Sequence, residues 1–572
     1  MSVVPVTFGQ HYVVSAGHEL AALAAFEVLE GGGNAIDAGV AAILTLGVVY
    51  SDQVSVAGVA PMMIRLAKTG EIVTIAGVGG WPRSLDVEDY ITRHGGEVPL
   101  GVHRTVVPAT PDAVIQALER FGTCTFRDVA KRAIDCANNG FPRHQVMLDY
   151  ITQYESDYRQ WPENTDIWLP DGKIPTLGEP FMQPDLARTL TFLCDEEQAA
   201  GDDRTAGLAA VRRAFYQGDI AQQILSHHRN HDGLLLAEDL SNFRCQVLPS
   251  LSRKVLFGKS EVEVHTCGAW CQGPTLLQAM AILETVDLEQ LGYGSDAYYH
   301  VMTEAIKLAL ADREGYLGDP DYVDVPLDTL ISSNYGAQRA RMIDPHSAAP
   351  GMPLPGTIPG HKAYQSPAIR TSSPDRLDPD TSIVCVIDAE GNAICATPSD
   401  TSWDTPVVPG TGLAISSRGD QSWAVHGHPS VLAPGKRPRL TPNPCFLQAP
   451  GQWIMPFGTP GGDAQVQANL QVLYSHLYFG MPLQDAIEAP RLITHSQPNS
   501  FAPHHAQPGH VTIEGRVSES VTRALNDRGH TVERLADWTH AVAGVCAVRK
   551  DLYSGHIEGG ADPRRSSRAM GW

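Results

Sequence analysis

Apolar residues recur at helical spacing in 18–30, "HELAALAAFEVLE", and the run of glycines at 31–33 predicts its end, because glycine accepts a positive φ at a helix C-terminus. Asn34 and Asp37 then suit the start of a second, nearly all-apolar helix reaching about Tyr50. Residues 61–77, "PMMIRLAKTGEIVTIAG", read as strand, Thr-Gly turn and strand. Helical patterns follow at 111–122 and 126–140, each closed by glycine, and at 276–292 and 295–318. Between 344 and 380 the periodicity fades and prolines accumulate, as in long functional loops. Strand patterns then dominate to about 470, and helices return at 466–480 and 518–529. Helices and strands in alternating blocks predict a layered α/β protein.

The 572 residues suffice for a large core, and 43% hydrophobic with 19% charged residues is ordinary for a globular chain. The formal charge of −22 argues against a nucleic-acid partner, which needs a basic surface. The longest apolar run, 38–50, is too short to span a bilayer, and the first residues lack a basic segment, so the expected compartment is the cytoplasm. Ten scattered cysteines form no disulfide framework and are expected as free thiols, with Cys267 and Cys271 in "CGAWC" read as buried. His227, His228 and His231, and likewise His504, His505 and His510, lack a complementary Cys or acid at a metal-binding spacing; they are expected to be solvated loop histidines, and no metal or cofactor is implied. Walker-type loops and G-x-S-x-G elbows are missing from the sequence.

One junction carries chemistry. In 378–401, "DPDTSIVCVIDAEGNAICATPSDT", Thr381 opens a strand-like run directly after the proline-rich stretch. Cleavage of the Asp380–Thr381 bond would give Thr381 a hydroxyl and an α-amine on one residue. An α-amine titrates near 7.7–8.0, so it can accept the proton of its own nucleophile. Gly461-Gly462, between the strand-like "QWIMPFG" and a helical run, could turn two N–H groups toward an oxyanion. Each feature alone has an ordinary structural reading: a β-forming Thr and a Pro-Gly-Gly turn.

Taken together, "GGNAIDAGVAA" (32–42), "YLGDPDYV" (316–323), "DTSIVCVIDAEGNAICAT" (380–397), "PGTGLAISSRG" (409–419), "HPSVLAPGKRPRLTPNP" (428–444), "GTPGGDAQ" (458–465) and "EGGADPRR" (558–565) resemble the γ-glutamyltranspeptidase family of N-terminal nucleophile hydrolases, over nearly the whole chain. The resemblance implies a four-layer αββα sandwich and autoproteolysis before Thr381, with a large subunit (1–380) interleaved with a small one (381–572). It also implies Thr381 as nucleophile, Ser399 as the hydroxyl bonded to it, Gly461 and Gly462 as the oxyanion pair and Thr441 as a substrate contact.

Departures from the family pattern concern recognition. The family's carboxylate-binding arginine falls at or near Val87 in "GWPRSLDVEDY", with Arg83 out of register, and the acids that bind the α-amine give way to "SSRGDQSW". That stretch is similar to the divergent branch that includes oxamate amidohydrolase-like and cephalosporin acylase-like members. Arg418 can offer a planar fork to a substrate carboxylate or pair with Asp420, and Asp420 is itself taken with Arg418 and Thr441 as a candidate substrate-binding residue; Arg437 and Arg439 are read as bracing the fold. The expected activity is that of a self-processing amide hydrolase or acyl transferase on a small carboxylate-bearing amide, with water or an amine as acceptor. The alternatives are a true γ-glutamyl enzyme and an unprocessed paralogue that only binds a metabolite.

Overall fold

In the computed structural model, which describes residues 2–258, 260–365 and 381–572, two seven-stranded sheets lie face to face between two layers of helices. One sheet runs Thr7–Gly9, Ile557–Ala561, Cys546–Asp551, Trp453–Gly458, Cys445–Ala449, Ser260–Thr266, Leu251–Phe257; the other runs Arg568–Gly571, Val13–Ala16, Val384–Ile387, Ala393–Ala396, Met62–Arg65, Ile72–Ile75, Val247–Pro249. All neighbours within each are antiparallel. Both sheets mix strands from before and after residue 380.

The period-two pattern of strand Val384–Ile387 explains why four layers form. Cys385 and Ile387 point into the core between the sheets, with Cys395, Phe446 and Ile454. Val384 and Val386 point the other way, onto the helices Glu19–Glu30 and Ala35–Val49. Both faces of this strand are therefore buried, which is why it reads as a continuous apolar run. On the far side, helices Gly273–Leu283, Asp296–Tyr316 and Ala464–Leu473 cover the other sheet through Met280, Ile306 and Leu470.

The N-terminal helices follow the sequence closely. His18 caps the first by accepting the N–H of Leu20 at 3.1 Å, and Gly32 turns out of it at φ +91°. Asn34 and Asp37 form a capping box on the second, whose residues are all buried. Asp37 also accepts from the N–H and hydroxyl of Thr123, both at 2.8 Å, which ties the helix start to the next layer.

Four expectations need correction. The helix expected over 276–292 starts earlier, at Gly273, and ends at Leu283; a separate turn, Leu288–Leu291, is capped by Asp287, whose carboxylate competes for the N–H of Gln290. The strand after Thr381 begins at Val384, because Thr381 has φ +71° and cannot join a ladder. Within residues 397–444 the one strand ladder is the short pairing of Val407–Val408 with Leu413–Ala414, and isolated bridges such as Ser399 with Val59 and Trp423 with Val431, together with side-chain bonds, fix the rest. His227 and His228 are buried at the end of helix Asp219–Asn230, and His504, half-buried, stacks on Trp423 with ring centroids 3.9 Å apart while its ring nitrogens meet the carbonyls of Asn499 and Ser422; packing and hydrogen bonds, not open solvent, surround these rings. Of the proline-rich stretch, 366–380 lies outside the described residues.

Candidate active site

Thr381 and Ser399 are brought together where the antiparallel pairing of Val384–Ile387 with Ala393–Ala396 continues past the ends of both strands. Ser382 donates its N–H to the carbonyl of Pro398 at 2.9 Å, and Ser399 exchanges backbone hydrogen bonds with Val59. The two hydroxyls then meet at 2.9 Å, where either can donate. Arg418 Nη2 donates to Ser399 Oγ at 2.7 Å, and Gln465 Nε2 donates to Thr381 Oγ1 at 3.4 Å. The orientation of the Gln465 amide is set by its own oxygen, which accepts from Asn443 N at 3.1 Å. Thr381, Ser399 and Arg418 are all fully buried. A β-branched residue at positive φ is strained, and Asp400, at φ +146°, is a second strained residue one position after Ser399.

The Gly461-Gly462 turn follows strand Trp453–Gly458 and precedes helix Ala464–Leu473. Both glycines have positive φ, +118° and +53°, and a Cβ on Gly461 would stand 3.3 Å from that of Ala543. Among the described residues, no acceptor takes the N–H of Gly461 or Gly462. The turn is held from behind. Gln272 Nε2 donates to the carbonyls of Gly462 (3.1 Å) and Thr441 (2.8 Å), while its oxygen accepts from Arg313 at 3.1 Å. Arg313 also pairs with Asp463, which accepts from Ser500 N and Oγ, each at 2.7 Å.

A cavity of about 850 Å³ opens beside this turn; Gly461, Asp463, Asp420, Arg104, Trp403 and Arg565 form part of its wall. Trp403 and Tyr154 stack at 3.8 Å to make an aromatic shelf. Arg104 is spent on the protein: Nη1 reaches Asp404 at 3.1 Å, and Nε and Nη2 reach the carbonyls of Pro99 and Val98. Asp420 sits 3.7 Å from the same guanidinium. Burial pushes its carboxyl up to about 8; Arg418 and Arg104 oppose the shift, while Asp404 and Asp400 add to it. Asp400 is likewise raised by burial, although the Ser416 hydroxyl and the N–H and hydroxyl of Ser417 bond to it.

The other sequence candidates distribute around this centre. Asp420 lines the cavity, whereas Arg418 and Thr441 lie behind its wall. Thr441 is clamped by Gln421, which donates to its Oγ1 at 2.9 Å and accepts its N–H at 3.1 Å. Arg83 is exposed and Val87 opens the helix Val87–His94; neither reaches the cavity. Arg437 pairs with Asp319, and Arg439 pairs with Glu314 at 2.7 Å. His505 and His510 line the cavity, and all ten cysteines are free. Asp380 lies outside the described residues. The one group among the described residues able to surround an ion is His300, Glu304 and His530, where Lys307 already pairs with Glu304 at 2.8 Å.

Sequence reasoning missed Gln272, Arg313, Gln465 and Arg104. Gln465 stood inside the quoted motif "GTPGGDAQ", and Arg313 stood three residues before "YLGDPDYV"; Arg104 announced itself only as a lone cation in an apolar run, "GVHRTVVP".

The family model described as Gamma-glutamyltranspeptidase matches residues 21–572. The chain belongs to the γ-glutamyltranspeptidase family. It is similar to the glutathione hydrolase-like YwrD proenzyme of Bacillus subtilis (strain 168), with 29% identity over 570 residues that cover 98% of this chain and 99% of that protein. Among solved structures, LmbA2991HD matches with a TM-score of 0.92 and 33% identity over 100% of both chains. The cephalosporin acylase from Bacillus halodurans matches with a TM-score of 0.85 and 26% identity, covering 100% of this chain and 98% of that one. The two facing sheets and their helical layers are thus the αββα sandwich of the N-terminal nucleophile hydrolases. Among the described residues, no helix is long and apolar enough to cross a membrane.

Proposed function

We propose that this member of the γ-glutamyltranspeptidase family is a self-processing amide hydrolase or acyl transferase that works through an acyl-enzyme on Thr381. The observation that carries the reading is the 2.9 Å contact between the Thr381 and Ser399 hydroxyls, backed by Arg418. In processing, Thr381 Oγ1 attacks the carbonyl carbon of Asp380. The peptide C–N bond breaks, the nitrogen keeps its own proton and gains the one from Thr381 Oγ1 to become the new α-amine, and an ester joins Asp380 to Thr381 Oγ1. Water hydrolyses that ester, leaving a carboxyl on residue 380 and the hydroxyl on Thr381.

In turnover, the freed α-amine takes the Oγ1 proton as the oxygen attacks an amide carbonyl. The N–H groups of Gly461 and Gly462 receive the developing oxyanion, and the amine returns the proton to the leaving nitrogen. Water, or an acceptor amine, then releases the acyl group. The name of the Bacillus halodurans relative, a cephalosporin acylase, supports an N-acyl substrate. The name of the YwrD relative favours the alternative of a γ-glutamyl enzyme. The exposure of Arg83 and the helical position of Val87 favour the first, since neither brings a guanidinium to the cavity. The intact set of Thr381, Ser399 and the glycine turn weighs against an inactive binding paralogue.

The test is a denaturing gel of purified protein with N-terminal sequencing. Wild type should give two fragments, the smaller beginning T-S-I-V-C, and Thr381→Ala should remain one band and turn over no amide. A single wild-type band in protein that hydrolyses amides would overturn the reading, as would cleavage of the Thr381→Ala chain.

A further inference from the structure

Arg565 is a buried cation that the protein itself leaves incompletely paired. It is 7% exposed and forms part of the cavity wall. Its Nη1 donates to Gln53 Oε1 at 2.9 Å, and Nε and Nη2 donate to no described residue. Gln53 stands between it and an acid, donating its own Nε2 to Asp52 at 2.8 Å. The preceding residue shows the contrast: Arg564 is saturated, with Glu514 at 2.8 Å, Asp562 at 3.0 Å and three backbone carbonyls. Among the described residues, no carboxylate lies within ion-pair distance of Arg565. Burying a charge without an adjacent counter-charge is unfavourable, and a guanidinium with open donors is suited to a carboxylate fork.

Its place relative to the chemistry is defined. The Arg565 stem lies over Gly544, where a Cβ would come within 2.7 Å of Cδ and 3.3 Å of Nε. Gly544 donates its N–H to Thr459 Oγ1 at 2.9 Å, and the neighbouring Ala543 packs on Gly461. The guanidinium therefore shares a wall with the oxyanion turn, one layer of backbone away. Arg104, the other arginine in this wall, is committed to Asp404 and two carbonyls.

We propose that Arg565, braced by Gln53, anchors a carboxylate on the acyl part of the substrate, which makes the monoamides of short dicarboxylic acids the substrate class. This rests on the amide-hydrolase reading above and adds the residue that selects the acyl group. The carboxylate supplies the missing negative charge inside the cavity, and chain length sets whether the amide carbonyl then reaches Gly461-Gly462.

Two measurements test it on the processed protein. The first is calorimetric titration with oxalate, malonate, succinate, glutarate and adipate. At least one should bind saturably at one site per chain, and Arg565→Gln should weaken it about tenfold or more. Arg565→Lys, which keeps the charge and loses the fork, should fall between the two. Two-band processing and thermal melting of both variants verify that they fold. The second is kcat/KM for the mono-p-nitroanilides of the same acids against analogues whose free carboxyl is a carboxamide. Wild type should prefer the carboxylate by about tenfold or more at its best chain length, and Arg565→Gln should lose that preference.

Binding of no dicarboxylate to wild type, or equal binding by Arg565→Gln, overturns the proposal. Retained carboxylate preference in Arg565→Gln also overturns it while leaving amide hydrolysis standing. Binding through Arg565 without turnover of any anilide leaves the anchor standing and removes the hydrolase reading.

Discussion

Arg418 is expected to act on Thr381 through Ser399, and a double-mutant cycle measures this. Ser399→Ala removes an oxygen that lies 2.9 Å from Thr381 Oγ1 and accepts from Arg418 Nη2 at 2.7 Å. Arg418→Met removes the charged donor and keeps much of the buried volume. A hydrogen bond to a charged group contributes roughly 1.5–3 kcal/mol, which is about 10- to 150-fold in a rate if it is felt fully at the transition state. Loss of the Ser399 hydroxyl should therefore slow self-cleavage by about 100-fold, and Arg418→Met by about tenfold or more. The double variant should be no slower than the slower single variant, because the arginine has lost the group through which it acts. The assay is the first-order appearance of the T-S-I-V-C terminus in freshly refolded protein, followed on denaturing gels, with amide turnover of the processed protein as a second readout. A coupling below about 0.5 kcal/mol, the usual limit of additivity, would refute the relay: the single effects would then multiply, and Arg418 would act independently of Ser399. Melting curves of all four proteins separate this from loss of fold, since Ser399→Ala also deprives a buried guanidinium of an acceptor.

Two further outcomes follow from the geometry. Gly461→Ala places a side chain at φ +118° and within 3.3 Å of Ala543 Cβ, a backbone strain of roughly 1–3 kcal/mol; displacement of one oxyanion donor should lower kcat by about 10²–10³, with steady-state kinetics as the check and an unchanged kcat as the contrary result. Asp420 binds a proton more tightly in the folded chain, at about 8, than in the unfolded chain, where it titrates near 3.8, so its contribution to stability is lost as pH rises through that window. Asp420→Asn should flatten the fall of melting temperature between pH 4 and pH 8 relative to wild type, and parallel profiles for the two proteins would contradict the assignment.

The helices at 19–30, 35–49, 110–121 and 126–139 were legible because their signals are local. Asn34 with Asp37, and Thr125 with Asp128, close capping boxes within four residues, and Gly31, Gly122 and Gly140 stand at the exits of the first, third and fourth of these helices. The break after Leu283 was not legible: it depends on Asp287 taking the N–H of Gln290 within an unbroken apolar pattern. The histidines at 227 and 228 misled because their burial is set by what packs over the end of helix Asp219–Asn230, which leaves no mark in the local sequence.

By itself, the sequence determined the alternating strands, the capped helices, the family motifs and the candidacy of Thr381, Ser399 and Gly461-Gly462, since each is written in a short stretch. The tertiary structure decided which groups surround them. Gln272 joins Thr441, Gly462 and Arg313; Arg418 faces Ser399 and lies behind the cavity wall; Arg565, 184 residues beyond Thr381, joins that wall beside Gly461. Such juxtapositions arise from the face-to-face packing of two sheets whose strands come from both ends of the chain. Side-chain chemistry is encoded residue by residue, but a site's charge balance depends on which distant residues the closed sandwich brings within a few ångströms of one another.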